Sequence, residues 1–564
     1  MTAKRTAGTS PRFGVIATTG YEPTLGRSTA VMAVGTLLSR ITGAARTIAL
    51  AGFGLTALAD TYSTANNTPN MVYELVAGGV LSAVLVPLFV SLFRGRFERS
   101  DDGISAIVTL TAVVVLGAVA AVMAASPLVV WLFLNRPDEA MKRQVAAELL
   151  RFFAPQIGVY GFITVATAML NAKRRFAAPM FAPILNNLVV IVVLVWARRV
   201  IGALVPKGNI NTTASLRAVA TDGPAKLLLG LGTTAGVVAM GLAMLPSLRG
   251  LGVRIRWHWE PRHPAVRELA RLSGWTFGYV VCNQIALWFV TNTANRANGD
   301  FTAYTLAYAT FFLLPHGVFA VSVMTGLQPA LAEAFLDRRR GRFRRLLADG
   351  IRTVNAVMIP AAAGYLVLAT PIVGIVRTGG LDAAQAGRVA GVLRTLAIGL
   401  PGFSLYLLLM NAFKAMRDTR STFEINAAEN AINIVLAGVF YRWGLGVKGL
   451  GLAFALAYLV SATIAFRRVS VRTRGLKIVA VVRSLVRVLV GTAAMAAATK
   501  LVSAGCEHLL RNGATGRLGR PALILEVGAA VGCGVTVYAV VGRLVGITEL
   551  DALVTGLRRR ARRS

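Results

Sequence analysis

Runs of about 20 apolar residues recur along this chain, each long enough to cross the hydrocarbon core of a bilayer as a helix. Fourteen stretches meet or approach that length, at roughly 29–55, 72–94, 104–134, 146–170, 180–198, 225–247, 266–295, 302–334, 347–376, 387–413, 421–441, 446–466, 478–503 and 521–546. The third contains Pro127 and reads as one long helix or as a helix followed by an interfacial piece. Composition agrees: 55% of the 564 residues are hydrophobic and 15% charged, where soluble domains carry about a quarter charged residues. The sequence therefore predicts an all-α integral membrane protein with about 14 transmembrane helices.

Charge orients the spans. With the first 28 residues read as a cytoplasmic tail and the first run as a retained helix, alternate loops hold most of the basic residues. These are Arg94 to Arg99, Lys173-Arg174-Arg175, the six arginines from Arg249 to Arg271, Arg338 to Arg352, Lys414 to Arg420, Arg467 to Arg487 and Arg558 to Arg563. This side carries 38 of the 60 Lys/Arg, the other side 17, and five lie within spans or at their edges. The asymmetry predicts a multi-pass protein of the bacterial cytoplasmic (inner) membrane with both termini cytoplasmic. The same distribution argues against nucleic acid as a partner, because the basic residues form short clusters between apolar runs and no basic domain. Lys173 to Arg175 and Arg338 to Arg345 read as topogenic charge or as contacts to anionic lipid. Trp257-His258-Trp259 and Tyr441-Arg442-Trp443 read as interface anchors.

No catalytic constellation stands out. The histidines (His258, His263, His316, His508) are scattered near helix ends or loops, without metal-ligand spacing, and there is no phosphate-binding GxxxxGK[ST] loop. Cys282, Cys506 and Cys533 lie far apart and imply neither a disulfide framework nor a metal site. A faint repeat is present: Met169-Leu170-Asn171-Ala172-Lys173 closes the fourth run and Leu409-Met410-Asn411-Ala412-Phe413-Lys414 closes the tenth, six runs later. Parallel six-helix repeats around a cavity are a transporter architecture.

The polar residues inside the apolar runs narrow the function. Ser39, Gly43 and Arg46 fall at i, i+4 and i+7, one face of a helix, and Arg40 points about 100° away from Ser39. The next segment supplies Asp60, Asn66, Asn67, Pro69, Asn70 and Glu74, with Asn67, Asn70 and Glu74 again on one face. An arginine in lipid is costly and normally faces a wet or paired interior. Two readings follow: a buried Arg–Glu or Arg–Asp pair, or a cationic, hydrogen-bonding cavity for an anionic head group. Further on, Glu429 lies among Asn426, Asn430 and Asn433, and Asn283 and Gln284 share the seventh run. These suit a cation held by Asn283, Glu429 and Asn433 or a hydrogen-bond network between helices.

The stretch Leu38-Ser-Arg-Ile-Thr-Gly-Ala-Ala-Arg46, then Asp60, then Thr68-Pro-Asn-Met-Val-Tyr-Glu-Leu-Val-Ala-Gly-Gly-Val-Leu-Ser-Ala-Val-Leu-Val-Pro87, resembles the MurJ/MviN family of lipid II flippases. So does Leu170 to Asn187 and, more loosely, Gly399-Leu-Pro-Gly-Phe403 and Phe413 to Arg420, from about residue 29 to 470 in all. Tyr73-Glu74 and Gly78-Gly79 look like the actinobacterial branch. Thr47 stands where the family often has aspartate, and Tyr73 and Thr310 where many relatives place arginines.

The resemblance implies a MOP-type fold. Residues 29–250 and 251–470 would be two six-helix lobes forming a V. Residues 471–550 would be two further helices with a groove for a lipid tail, and 1–28 and 551–564 would be tails. It implies flipping of lipid II, an undecaprenyl-diphosphate-linked peptidoglycan precursor, to the outer leaflet by alternating access. Ser39, Arg40, Arg46, Asp60, Asn70 and Glu74 would form the substrate site. No cofactor is implied beyond coupling to Na+, protons or the membrane potential. Besides the substrate, the partners implied are membrane lipids and proteins of cell-wall synthesis and division. Two alternatives stand beside it: a transporter of another polyprenyl-linked saccharide or a drug, and a non-transporting scaffold paralogue in cell-wall assembly.

Overall fold

The computed structural model describes residues 23–75, 79–93, 100–173, 175–205, 213–251, 255–377, 380–476, 478–510, 519–547 and 549. Among these there is no strand. The first part comprises α1 (Pro23–Ala51), α2 (Ala57–Tyr73), α3 (Gly79–Phe93), α4 (Ser100–Ala124), α5 (Ser126–Trp131), α6 (Ala140–Phe153), α7 (Pro155–Ala172), α8 (Ala177–Leu204), α9 (Thr213–Thr221), α10 (Gly223–Leu242) and α11 (Leu245–Arg249). Next come α12 (Pro264–Ala294) and a composite helix made of α13 (Asp300–Leu306), a π-helical stretch Ala307–Phe312, the single turn α14 (Leu313–Pro315), a second π-helical stretch His316–Ala320, and α15 (Val321–Leu336). The rest are α16 (Arg340–Ile375), α17 (Ala383–Ala415), α18 (Thr419–Arg442), α19 (Gly446–Arg472), α20 (Ile478–Leu510) and α21 (Arg520–Val545).

Local sequence explains where several helices begin. Thr56, Asp222, Asp382 and Asp418 each accept a hydrogen bond from the backbone three residues on, capping α2, α10, α17 and α18. Pro127 ends the ambiguity of the third run: α4 stops at Ala124, and α5 starts with the proline in its first turn, where a missing N–H costs nothing. Two boundaries differ from expectation. α1 begins at Pro23, inside the anticipated tail. The second segment begins at Ala57 as α2 instead of near residue 72, because Asp60 and the three asparagines lower its hydropathy, although Asp60 and Asn66 are buried. The remainder of the expected N-terminal tail, Gly78 and the C-terminal tail fall outside the described residues.

Ten of these helices are long and apolar enough to cross a membrane by length and composition. Of the other segments, α1, α2, α12 and α18 carry the intramembrane polar residues singled out above, and the apolar α3 falls short by its described length alone.

The helices gather into two large cores. One is built from α2 to α10 around Phe89, Phe153 and Leu149, and it also takes in Ala265, Val266 and Leu269 from the start of α12. The other is built from α13 to α19 around Phe312, Tyr406 and Phe413. Lipid tails are as apolar as leucine, so close fit, not exclusion from water, holds such helices together. α17 and α19 meet through Gly399 against Ala455 and Gly402 against Leu459, contacts a larger side chain would block. α20 and α21 pair with each other and attach to α16 through a small cluster of Ala356, Val488, Met495, Tyr538 and Ile547. Two ends of the bundle are distinguished below. At the near end α21 finishes and Glu549 meets Arg352 of α16 at 2.5 Å. At the far end α1 turns into α2.

Candidate functional site

α1 packs along α8 and α2 along α6, and both helices of this first hairpin also touch α13 of the second core. The Ser39–Gly43 part of the α1 stripe does not line an open space, contrary to expectation. Its small residues admit Asn187 of α8, whose Nδ2 donates to Thr42 Oγ1 at 3.0 Å and to the Ser39 carbonyl at 3.3 Å. Arg46, one turn beyond, is half-buried, and its charge acts on the hydroxyls of Tyr62 and Tyr160. Tyr62 in turn shares a 2.9 Å hydrogen bond with Thr233. The rings of Tyr73 and Tyr160 lie 5.6 Å apart. On α2 the more accessible face is the one that carries Asn67, Asn70 and Glu74, with Asn70 and Glu74 exposed.

Arg40 reaches the other way, across to the second core. Its guanidinium lies against Gly317 in the second π-helical stretch, where a Cβ would come within 2.5 Å of Nη1 and 2.6 Å of Nε. Its Nε is buried without a hydrogen-bond partner. The neighbouring residue, His316, is not at a helix end as expected. It is buried mid-helix, and its Nδ1 lies 2.9 Å from Ser404 Oγ of α17. Neither Arg40 nor Arg46 is ion-paired among the described residues, so the reading of a buried Arg–Glu or Arg–Asp pair does not describe this structure.

Asp60 is committed elsewhere. Its Oδ2 accepts the Gly299 N–H at 2.5 Å, and its Oδ1 accepts the Thr302 N–H at 2.8 Å and the Thr302 hydroxyl at 2.7 Å. It thus caps the N-terminus of α13 from the opposite core, where a carboxylate also complements the helix dipole. Gly299 has φ +86°, open to glycine without strain, and lies directly on the Leu55 backbone. Around it the far end is laced shut. Thr64 meets Asn295 at 2.9 Å, Leu55 N–H donates to Gln385 Oε1 at 3.1 Å, and Gly380 N–H donates to the Gly52 carbonyl at 3.0 Å. Trp288 and Asn292 of α12 donate to the Leu132 carbonyl at 2.9 and 3.2 Å.

A second polar cluster lies within the second core. Asn283 Oδ1 accepts from both Asn426 and Asn430 at 3.0 Å, so this oxygen, expected to hold a cation, is already occupied. The oxygens without partners are Glu429 Oε2, Asn426 Oδ1, Asn433 Oδ1 and Gln284 Oε1, all buried. Asn426, Glu429 and Asn433 are spaced i, i+3 and i+7 on α18 and share one face. No group of three or more His, Cys, Asp or Glu side chains suited to a metal ion occurs among the described residues.

A family model described as lipid II flippase MurJ matches residues 50–514. The chain belongs to this family. A probable lipid II flippase MurJ of Thermotoga maritima is 26% identical over 532 residues, covering 94% of this chain and 98% of the relative. The lipid II flippase MurJ of Burkholderia cenocepacia is 28% identical over 450 residues, covering 78% and 82%. In fold, the chain matches a solved structure titled lipid II flippase MurJ, inward closed conformation, with a TM-score of 0.70 at 20% identity, covering 91% of this chain and 98% of that one. It also matches an inward-facing multidrug resistance MATE transporter of the MOP superfamily, with a TM-score of 0.62 at 14% identity, covering 79% and 98%. The chain is therefore a membrane transporter of the MurJ family and not an enzyme, with a helical fold like that of the MATE transporter. The MurJ match continues past residue 470, where the resemblance had looked loose, to the end of α20. It starts four residues after Arg46, but the Thermotoga alignment is long enough that it must include both α1 arginines.

Several site residues escaped the sequence. Asn187, Tyr160, Thr302 and Gly317 gain their places from helices far away in the chain, and ordinary residue types carry no local sign of that. Only Pro315-His316-Gly317 offered one, a histidine and glycine after a proline within an apolar run. Thr310, one of the family departures, is buried in the same composite helix with its hydroxyl unpartnered.

Proposed function

We propose that this protein flips lipid II across the cytoplasmic membrane by alternating access, with the diphosphate held between Arg40 and Arg46. The observation that carries this is that α1 brings two arginines to the boundary between the cores, neither of them ion-paired among the described residues. Guanidinium groups suit phosphate oxygens because they donate two parallel, charge-assisted hydrogen bonds. Asn70, Glu74 and the hydroxyls of Tyr62 and Tyr160 add the neutral and acidic partners that a glycan–peptide head group requires.

In this reading the chain crosses the membrane fourteen times, with the near end cytoplasmic, where 38 of 60 Lys/Arg lie. The laced far end then faces outward, and the conformer receives substrate from the cytoplasmic side. Release outward requires that the Asp60 cap on α13 open. The orphan oxygens of Asn426, Glu429 and Asn433 suit a monovalent cation or a proton, either of which would lower the cost of the buried Glu429 carboxylate as the second core moves. Movement of one charge through the potential supplies about 2.3 kcal/mol per 100 mV, and no nucleotide is needed.

The deciding experiment is complementation of a strain depleted of its lipid II flippase, read together with the distribution of labelled lipid II between leaflets. Restored growth with lipid II reaching the outer leaflet is expected. A chain that inserts at normal abundance but leaves lipid II inside would refute the assignment.

A further inference from the structure

Two basic residues on α17 stand apart from the space between the cores. The outward stripe of this helix is Ala384, Gly387, Gly391, Arg394 and Ile398, three or four residues apart. All are exposed except Gly391. It is covered by the side chain of Lys448 from α19, whose Cε and Nζ would lie 2.5 and 3.4 Å from a Cβ at that position. Arg394, one turn along the same stripe, leans onto α16 on the other side. Its Nη2 donates to Thr370 Oγ1 at 2.7 Å and its Nε to the Leu366 carbonyl at 3.4 Å. Lys448 and Arg394 thus meet one face of α17 at positions one turn apart.

Nothing neutralises them. Both acceptors of Arg394 are uncharged, and neither Arg394 nor Lys448 is ion-paired among the described residues. The nearest carboxylates in the sequence of α13 and α17 are spoken for: Asp382 caps α17 through Gln385, and Asp300 pairs with Arg388 at 3.3 Å. Lys448 is two residues inside α19 and Arg394 eleven residues inside α17. A cation on the lipid-facing side of a helix at that depth is costly unless an anion meets it. The small residues Ala384 and Gly387 leave room beside it, and the exposed apolar side chains of Leu366 and Ile398 border it.

We propose that Arg394 and Lys448 bind the phosphate of an anionic phospholipid in the leaflet at the far end, seated on α17 between α16 and α19. Arginine supplies the planar fork and lysine a point charge on the opposite side. Ile398 and Leu366 lie where the first acyl carbons would run, which a soluble anion would not use.

The test uses the full-length protein in phosphatidylcholine vesicles doped with photoactivatable phosphatidylglycerol, with photoactivatable phosphatidylcholine as the comparison, and maps cross-links by peptide mass spectrometry. Phosphatidylglycerol is expected to label the Leu366 and Ile398 peptides about tenfold more than phosphatidylcholine does, and R394Q and K448Q each to remove that preference. Labelling at the basic near end, and labelling in R442Q, should not change. Lys448 makes no hydrogen bond among the described residues, so K448Q keeps the test valid if R394Q fails to fold. Equal labelling by the two lipids, undiminished labelling in K448Q, or loss of labelling on adding millimolar inorganic phosphate would each overturn the assignment.

Discussion

Arg40 and Gly317 touch across the two cores: the guanidinium from α1 lies on the glycine Cα in the second π-helical stretch, with no space for a Cβ. The contact places a cation, its Nε unsatisfied, where both halves of the transporter meet. Gly317→Ala is expected to push Arg40 aside without unfolding the chain, because the atom displaced ends a flexible side chain. Misplacing a positioned group by about 1 Å can cost about 100-fold, so flipping should fall at least tenfold at normal membrane abundance. Unchanged flipping by G317A in proteoliposomes would show that Arg40 need not sit there.

Arg46 tests the head-group role more directly. Lysine keeps the charge and loses the fork, so Arg46→Lys should weaken complementation and Arg46→Ala abolish it, both at normal abundance. Full growth on R46A, with protein levels checked by immunoblot, would remove Arg46 from the substrate site.

Asp60→Ala leaves three donors of Gly299 and Thr302 without their acceptor, at about 1–3 kcal/mol for each buried group left unpaired. The conformer closed at the far end should lose population. Disulfide formation between Thr64→Cys and Asn295→Cys, in a background lacking the three native cysteines, reports that closure. Its yield should drop severalfold when D60A is added. An undiminished yield would mean that Asp60 does not hold the far end shut.

Glu429→Gln preserves shape and removes a charge from a cluster of orphan oxygens. The variant is expected to insert and fold normally but to flip lipid II without responding to sodium or pH gradients across the vesicle. A response equal to that of the wild type would return the cluster to a purely structural role.

Cys506 lies four residues from the far end of α20. An impermeant thiol reagent should label it in spheroplasts and leave it unlabelled in sealed inverted vesicles. The reverse pattern would invert the orientation proposed here.

The fold class was legible because lipid allows few solutions. The apolar runs marked the helices and Pro127 the break between α4 and α5. The limits of α2 were not legible. Asp60 looks like a loop residue until its partners are seen, and these lie 239 and 242 residues further along the chain. The same distance hid Gly317, whose significance depends on an arginine from the first helix. The arginines themselves were legible, because their cost in lipid demands a reason. The role assigned to Ser39 and Gly43 was not, since a stripe of small residues suits a neighbouring asparagine as well as a ligand. Likewise Asn283 looked like a cation ligand until two amide donors on α18 claimed its oxygen.

Four segments that are too polar to qualify as spans on composition, α1, α2, α12 and α18, also constrain how the protein can be made. Each would partition poorly from the translocation channel on its own, since a charged or amide side chain near mid-helix opposes release into lipid. α18 emerges between α17 and α19 and can leave in their company, and α12 follows α10 and precedes the composite helix. The first hairpin has no earlier helix to join. A nascent chain that ends after α2 should therefore remain extractable from membranes by alkaline carbonate, and one that includes the apolar α3 should resist extraction. The residues that give the transporter its polar interior would thus make insertion of its first hairpin wait for α3.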